Sequence, residues 1–381
     1  MRILHTSDWH LGRILHEHSL LPDQEKYLDD LLAHLRETRY ELLVVAGDVF
    51  DRGIPSEEAV ALWNRFLEGF AELRPHTALA AIAGNHDSAT RLAVGSRLME
   101  RANIHVRGGA ERLEEPVTIR AADGTVARVW MVPFLWSGSL VRDDADGRYA
   151  LQGQEEALAE AVRRIGTRMN RDELNVLVAH CFASGGLASD SERILVGTAA
   201  QVDPVLFRDF DYAALGHLHR PQALGPRARY AGSPLPYAFS ECAHGKSMTA
   251  VTLAKGAEPA MAELPVVPLR PMKDLRGTME ELLDEPRYAG LEETYVRVTL
   301  TEASGASQPA VRLRLRFPLL LEFQEYAAPA SDHEEACADS TAADILDEFK
   351  EFELRLRGGS GASDGLLAAF AELRGEMERT R

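Results

Sequence analysis

At 381 residues with 45% hydrophobic side chains, the chain can bury a large core plus one or two smaller units, which excludes a peptide-sized binder. Its formal net charge of −17 excludes a protein that holds nucleic acid through its overall field, so a phosphate-bearing substrate must be held locally, by metal ions or by a partner. Cys181, Cys242 and Cys337 are odd in number and far apart, which excludes a disulfide framework and a cysteine-based zinc site. With no apolar run of about 18 residues and no signal-peptide order in MRILHTSDWH, the expectation is a cytoplasmic protein with free thiols and no membrane span.

The opening strand Ile3 to Thr6 runs into Ser7-Asp8-Trp9-His10. Leu28, Leu31, Leu32 and Leu35 then recur at helical spacing, the pattern of a crossover helix. Leu42 to Asp51, LLVVAGDVFD, is a buried-strand run that stops at glycine and a carboxylate, so Asp48 falls at a strand's carboxyl end. A helix starts at Pro55-Ser56-Glu57-Glu58 and keeps its apolar stripe through Val60, Trp63, Phe66, Leu67 and Phe70. Residues 78–83 form the third strand, running into Gly84-Asn85-His86-Asp87, and Leu92 to Met99 reads as the next helix. Strand and helix alternating in this way imply parallel pairing with right-handed crossovers.

From about Glu115 a second sheet begins, because Val117-Ile119 and Val126 to Val132 flank Asp123-Gly124 as a hairpin. A helix within Leu151 to Met169 leads to the strand Val176 to His180, and Tyr212 to Leu215 runs into Gly216-His217-Leu218-His219. Met248 to Leu253 is a further strand. The expected fold is α/β, two mixed sheets back to back with helices outside, over residues 1–265. PVVPLRP marks a boundary, and 272–330 reads as a small α+β unit with strands Tyr295 to Leu300 and Val311 to Phe317. Strict alternation in VRLRLRF would put Arg312, Arg314 and Arg316 on one face, either solvated or phosphate-contacting. After an acidic stretch at 331–340, residues 341–381 carry two amphipathic helices: Ile345, Phe349, Phe352 and Leu356 stripe the first, Leu366, Phe370, Leu373 and Met377 the second. Short helices need a partner surface, and a flexible linker in front favours another chain over self-packing.

A lone histidine or a lone GD is more often structural than catalytic. Five strand ends that each deliver oxygen or imidazole donors are a different matter. Asp8, His10, Asp48, Asn85, His86, His180, His217 and His219 contain no thiolate, which suits manganese, iron or zinc in a catalytic pair with Asp48 as the shared carboxylate.

DWHLG, GDVFD, GNHDS, the strand-terminal His180 and GHLH, in this order, resemble the five blocks of the calcineurin-like metallophosphoesterase superfamily. HTSDWHLG at the extreme N-terminus, GDVFDRG and YAGSPLPYAFSE are similar, within it, to the nuclease subunits of bacterial SbcC–SbcD-type DNA-repair complexes. The resemblance implies a four-layer sandwich and two divalent cations, usually Mn2+. It implies cleavage of DNA phosphodiesters, with exonuclease action on double strands and endonuclease action on single strands and hairpins. It further implies a DNA-contacting cap at 272–330, a hairpin at 341–381 that binds an SbcC-like coiled-coil ATPase, and a homodimer whose contact would use the 92–99 helix and the helix ending at Phe70.

Carried over by position, Asp8, His10, Asp48 and His219 resemble the ligands of one ion, and Asp48, Asn85, His180 and His217 those of the other. His86 matches the residue that stabilises the transition state or protonates the leaving oxygen, and Asp87 is expected to orient it. Some relatives carry a second histidine three residues after the bridging aspartate; Asp51 stands there, either orienting His86 or capping a turn. Phosphatases and cyclic-nucleotide phosphodiesterases share the metal blocks, so another binuclear-metal phosphoesterase is the alternative.

Overall fold

The computed structural model describes residues 1–73, 77–144, 147–192, 201–305 and 307–326, with Leu367 as one further position. The acidic stretch 331–340 and the helical hairpin expected over 341–381 lie outside the described residues, as does Cys337. Residues 1–326 form one compact unit. No described helix is long and apolar enough to cross a membrane.

Two six-stranded sheets carry the architecture. In the first, Arg2–Thr6, Leu42–Val45, Ala78–Ile82 and Ile104–Arg107 are parallel neighbours, extended on one side by the antiparallel strands Ser247–Thr252 and Ala260–Pro265. In the second, Val126–Val132, Leu174–His180, Tyr212–Gly216 and Ala228–Tyr230 are parallel, edged by Val117–Arg120 and Gln222–Leu224. The hairpin expected around Asp123-Gly124 is the edge pair Val117–Arg120 and Val126–Val132.

Side-chain alternation decides how these sheets stack. Leu42 and Val44 face the second sheet's Val129, Val176, Val178 and Ala214 in a shared central layer, whereas Leu43 and Val45 turn the other way. On that outer face the helices Leu21–Glu37 and Glu57–Ala71 lay Leu28, Leu31, Trp63, Phe66 and Phe70 on the first sheet. The helix Gln154–Gly166 does the same for the second sheet with Ala157, Leu158, Ala161 and Ile165. Helix, sheet, sheet, helix is the four-layer sandwich expected from the sequence. Leu42 and Val44 must be apolar on one face and Leu43 and Val45 on the other, which is why the strand reads as an unbroken run.

A third sheet of three parallel strands, Met272–Gly277, Tyr295–Leu300 and Leu320–Gln324, has its own core around Leu282, Val298, Leu313 and Phe317. It joins the main body through Asp23, whose Oδ2 accepts from Arg270 Nη1 and from Tyr295 Oη, both at 2.9 Å, beside a small cluster of Leu20, Leu235, Tyr237, Met272 and Tyr295.

Two expectations are corrected here. Residues 311–317 are not a strand: Pro309–Arg316 is an α-helix, entered through Gln308 in the left-handed region with Pro309 in its first turn. Leu313 and Phe317, four apart, are its buried anchors, and Leu315 is 84% exposed. Arg312 and Arg316 therefore share a helix face that excludes Arg314. The period-2 pattern also satisfied i, i+4, and burial of Leu313 with Phe317 settled the choice. The expected helix Leu92 to Met99 is instead two short segments, Ala89–Leu92 and Ser96–Met99, interrupted where Gly95 takes a left-handed φ of 70°.

Candidate metal centre

The five donor clusters lie at or just past carboxyl ends of parallel strands, with His180 the last residue of its own, and the two sheets bring those ends to one place. The turns that deliver them are unusual. Asp8, His10, Asp48 and His217 have φ of 53°, 45°, 49° and 109°, a region costing of order 1–3 kcal/mol per non-glycine residue and held only where surroundings impose it. Here the first two loops are zipped together: the Asp8 N–H donates to Gly47 O, that of His10 to Asp48 O and that of Leu11 to Val49 O, each at 2.9 Å. Trp9, wholly buried against Trp63 and Phe66, clamps the loop from behind. Alternate residues then face opposite ways, so Trp9 enters the core while Asp8 and His10 enter the site.

Within that pocket Asp48 is central. Its Oδ2 lies 3.6 Å from His10 Nε2 and 3.5 Å from His180 Nε2, and its Oδ1 accepts the His86 N–H at 2.8 Å. On one side of it Asp8, His10 and His219 present ligand atoms within 4.8 Å of one another, with His10 Nε2 and His219 Nε2 only 3.1 Å apart. On the other, Asn85 Oδ1 meets His180 Nε2 at 3.0 Å and His217 Nδ1 at 2.9 Å. Asp8, Asp48 and His180 form a further such group, as do His10, Asp48 and His86. Every predicted donor is thus present, and a single carboxylate oxygen sits between the two sets.

The donor chemistry fits cations. Facing imidazole nitrogens at 3.1 Å are satisfied by one shared proton or one shared ion, and Asn85 Oδ1 turns its two lone pairs toward the same pocket as His180 and His217. Burial drives His10 down to about 4, against the pull of Asp51, and His217 down to about 3, which leaves neutral rings with lone pairs to give. Burial also lifts Asp8 to about 6, so its negative charge is poorly compensated in the pocket. Burial alone would lower His180, but Asp48 carries it up to about 9, and His180 in turn helps hold Asp48 well below the usual carboxylate range. Oxygen and nitrogen donors with no thiolate suit hard or borderline divalent ions.

The residues around the donors fix their orientation. His180 Nδ1 donates to Ala46 O at 2.8 Å, which turns Nε2 inward. The Asp51 carboxylate lies 3.5 Å from His10 Nδ1 and accepts from Arg13 at 2.9 Å, while its backbone carbonyl accepts from His86 Nδ1 at 2.9 Å. Asp51 therefore orients both rings, His10 through its side chain and His86 through its backbone. The expected role of Asp87 is corrected. Its carboxylate accepts the N–H groups of Val49, Phe50 and Gly84 at 2.8–3.0 Å, tying the second and third loops together, and no hydrogen bond to His86 is among the described contacts.

Behind His219 stands a buried polar network the sequence did not announce. Glu241 Oε1 accepts from Ser191 and from His219 Nδ1, and its Oε2 accepts from Lys246 at 2.6 Å. Lys246 also donates to the carbonyl of His219 at 3.0 Å and to Ser233 Oγ at 2.8 Å. Tyr237 packs edge-on against both His10 and His219. Only Ser233, Tyr237 and Glu241 of this network lie in the stretch YAGSPLPYAFSE, and nothing in the sequence ties them to Ser191 or Lys246.

The halves of the site come from different sheets, and Gly216 is where the sheets touch: a Cβ there would collide with the backbone oxygen of Ala46 and press on His180 Nδ1. Gly216→Ala should move the second-sheet donors His180, His217 and His219 away from the first-sheet donors and so disturb both donor sets. Overpacking of this kind costs about 1–3 kcal/mol in stability, and metal affinity should fall at least about 10–100-fold, the cost of disturbing supporting contacts alone. A manganese titration followed by calorimetry checks it; unchanged manganese affinity would show that the sheets tolerate the extra carbon.

Residues 1–221 match the calcineurin-like phosphoesterase family. The chain is 30% identical over 323 residues, 84% of both chains, to the SbcD subunit of the SbcCD nuclease of Staphylococcus epidermidis. It is 32% identical over 355 residues, 92% of both, to that of Staphylococcus saprophyticus. A solved structure, TT1561 of Thermus thermophilus, aligns over 69% of this chain and 98% of its own, with 12% identity and a TM-score of 0.41. With all five blocks meeting around one shared carboxylate, the chain belongs to the calcineurin-like phosphoesterase family.

Proposed function

We propose that the protein is the metal-dependent nuclease subunit of an SbcC–SbcD-type DNA-repair complex. It would act on double-stranded ends as an exonuclease and on single strands and hairpins as an endonuclease, with two divalent cations, manganese foremost, in the cytoplasm. The observation that carries the reading is the meeting of two donor sets across Asp48 Oδ2, joined to the two relatives similar over nearly the whole chain. In this reading Asp8, His10, Asp48 and His219 hold one ion and Asp48, Asn85, His180 and His217 the other. The chemistry the pair supplies when bound is neutralisation of charge on phosphate oxygens and activation of water near neutral pH.

The chain's own work is placement and proton transfer. His86, part-buried at the rim and edge-on to His10, gives its Nδ1–H to the Asp51 carbonyl, so in the imidazolium form Nε2–H is the proton available to the departing oxygen. Asp48 Oδ1 fixes the backbone of His86, which ties the proton donor to the bridging carboxylate. Val94 and Leu98, 67% and 70% exposed beside the interrupted helix, support the homodimer contact.

A manganese-dependent assay on linear duplex DNA, a small aryl phosphodiester and a phosphomonoester tests this. The diesters should be cut and the monoester spared; turnover of the monoester or of a cyclic nucleotide with DNA untouched would transfer the protein to the phosphatase or cyclic-nucleotide class. Deleting 341–381 should leave single-strand endonuclease activity intact while abolishing association with an SbcC-like ATPase. Co-elution of the truncated chain with that ATPase would remove the hairpin from the interface.

A further inference from the structure

Beside the metal centre the loop after strand Val126–Val132 carries a short aromatic ladder with no part in the chemistry above. Phe134 is anchored by its N–H to Ala83 O at 2.9 Å, at the carboxyl end of the strand that precedes Asn85 and His86. Its ring stacks near His217, 27° from parallel at 6.4 Å, and lies 6.1 Å from that of His180. Trp136 stands 4.7 Å from Phe134 at 68°. It is 56% exposed, whereas Trp9, Trp63 and Trp130 are at most 4% exposed. A large indole left in water one ring away from candidate metal ligands costs solvation and does nothing for the core.

These two rings help line a cavity of about 590 Å³ together with Gly108, Gly109, Arg148 and Arg164. That volume is in the range that takes a ligand of nucleotide size. Arg148 and Arg164 are matched by Glu111 and Asp143, so the cavity is close to neutral and suits a base more than a phosphate. Gly108, Gly109 and Glu111 also line a second cavity of about 280 Å³, together with Arg97, Arg107 and Arg112. Arg107 is 6% exposed, and its Nε has no hydrogen-bond partner among the described residues. Arg107 and Arg112 are paired with Glu100 and Glu115, so the feature the groove presents beside the donor cluster is its aromatic wall, which suits a stacked base.

We infer that Trp136, backed by Phe134, stacks on the unpaired nucleobase beside the scissile phosphate, so that this groove receives a single strand or a frayed end. The inference rests on the nuclease reading and deepens it. Stacking tolerates any base, because every base has a π-face, so the groove discriminates unpaired from paired strand and not one sequence from another.

Trp136→Ala should lower kcat/KM on a single-stranded oligonucleotide by roughly 5- to 150-fold, the range of one lost base–aromatic stack, and leave the small aryl phosphodiester unaffected. Trp136→Phe should recover most of the loss. An abasic site next to the cut should bring the parent down to the level of Trp136→Ala and cost the variant nothing more. Because the other three tryptophans are buried, oligo-dT added to metal-free protein should quench the emission of Trp136, a signal independent of turnover. A parent that hydrolyses the aryl diester but no DNA overturns the nuclease reading, whereas a parent that cuts DNA as well as Trp136→Ala does, abasic or not, overturns the stack alone. Absence of quenching overturns it too.

Discussion

Asp48→Ala is expected to lower manganese-dependent phosphodiester cleavage by more than about 1000-fold, because one side chain serves three positions at once. Its Oδ2 stands between His10 and His180, so in the proposed two-ion arrangement removing it would take a ligand from both ions together with the negative charge that lets two cations share the pocket. Its Oδ1 accepts the His86 N–H, so the proton donor loses its anchor as well. The left-handed φ of 49° adds a complication, since alanine resists that region. Asp48→Asn is the cleaner variant: asparagine accepts the backbone and keeps an oxygen toward His86, but brings no negative charge. Both variants should bind at most one manganese ion per chain by calorimetry and remain folded by circular dichroism. Two ions bound by Asp48→Asn with parental affinity would dismiss the shared-carboxylate arrangement.

The legibility of this site in the sequence has a physical cause. A parallel strand buried on both faces is a run of apolar residues with no period, and a donor placed where the run stops has left the sheet at the end where crossover folds keep their crevices. Asp8, Asp48, Asn85, His180 and His217 could therefore be found one by one, and their repetition made the set credible. The layering was legible too, because Leu42 to Val45 can be apolar throughout only if both faces of the sheet are covered.

What the sequence concealed is what depends on distant partners. VRLRLRF satisfied two periods, and only the third sheet's core, closing over Leu313 and Phe317, selected the helix. Asp87 looked like an orienting group for its neighbour because it was adjacent in the chain. In space the N–H groups of Val49 and Phe50, thirty-odd residues earlier, claim its oxygens. Burial, followed by the charge of Asp48, raises it to about 7, and the three backbone N–H groups it accepts from make it a tie between the second and third loops. The Glu241 and Lys246 network behind His219 was invisible for the same reason: a lysine and a glutamate five residues apart look like a solvated turn until the fold buries both, and a buried ion pair is tolerated only when further hydrogen bonds complete it, as Ser191, Ser233 and the His219 carbonyl do here.

The counterpart to Asp48 is His86. His86→Ala should bind manganese at both positions with near-parental affinity yet lose about 10²–10⁴-fold in kcat on DNA, the range a positioned general acid contributes. The separation of the two effects follows from the geometry: no other ligand ring depends on the His86 side chain for its orientation, because His180 is set by the Ala46 carbonyl and His10 by Asp51. The loss should also depend on the leaving group. An aryl phosphodiester departs as a stabilised phenolate that needs little help from a proton, so His86→Ala should retain far more activity on it than on DNA, whose departing alkoxide is strongly basic. Asp48→Ala should be equally inactive on both. If His86→Ala lost the same factor on the aryl diester as on DNA, the ring would be acting by stabilising charge on the phosphate oxygens rather than by giving up its Nε2 proton, and the role assigned to the Asp51 carbonyl would change with it, from fixing which nitrogen carries the mobile proton to holding a cationic Nε2–H donor in place.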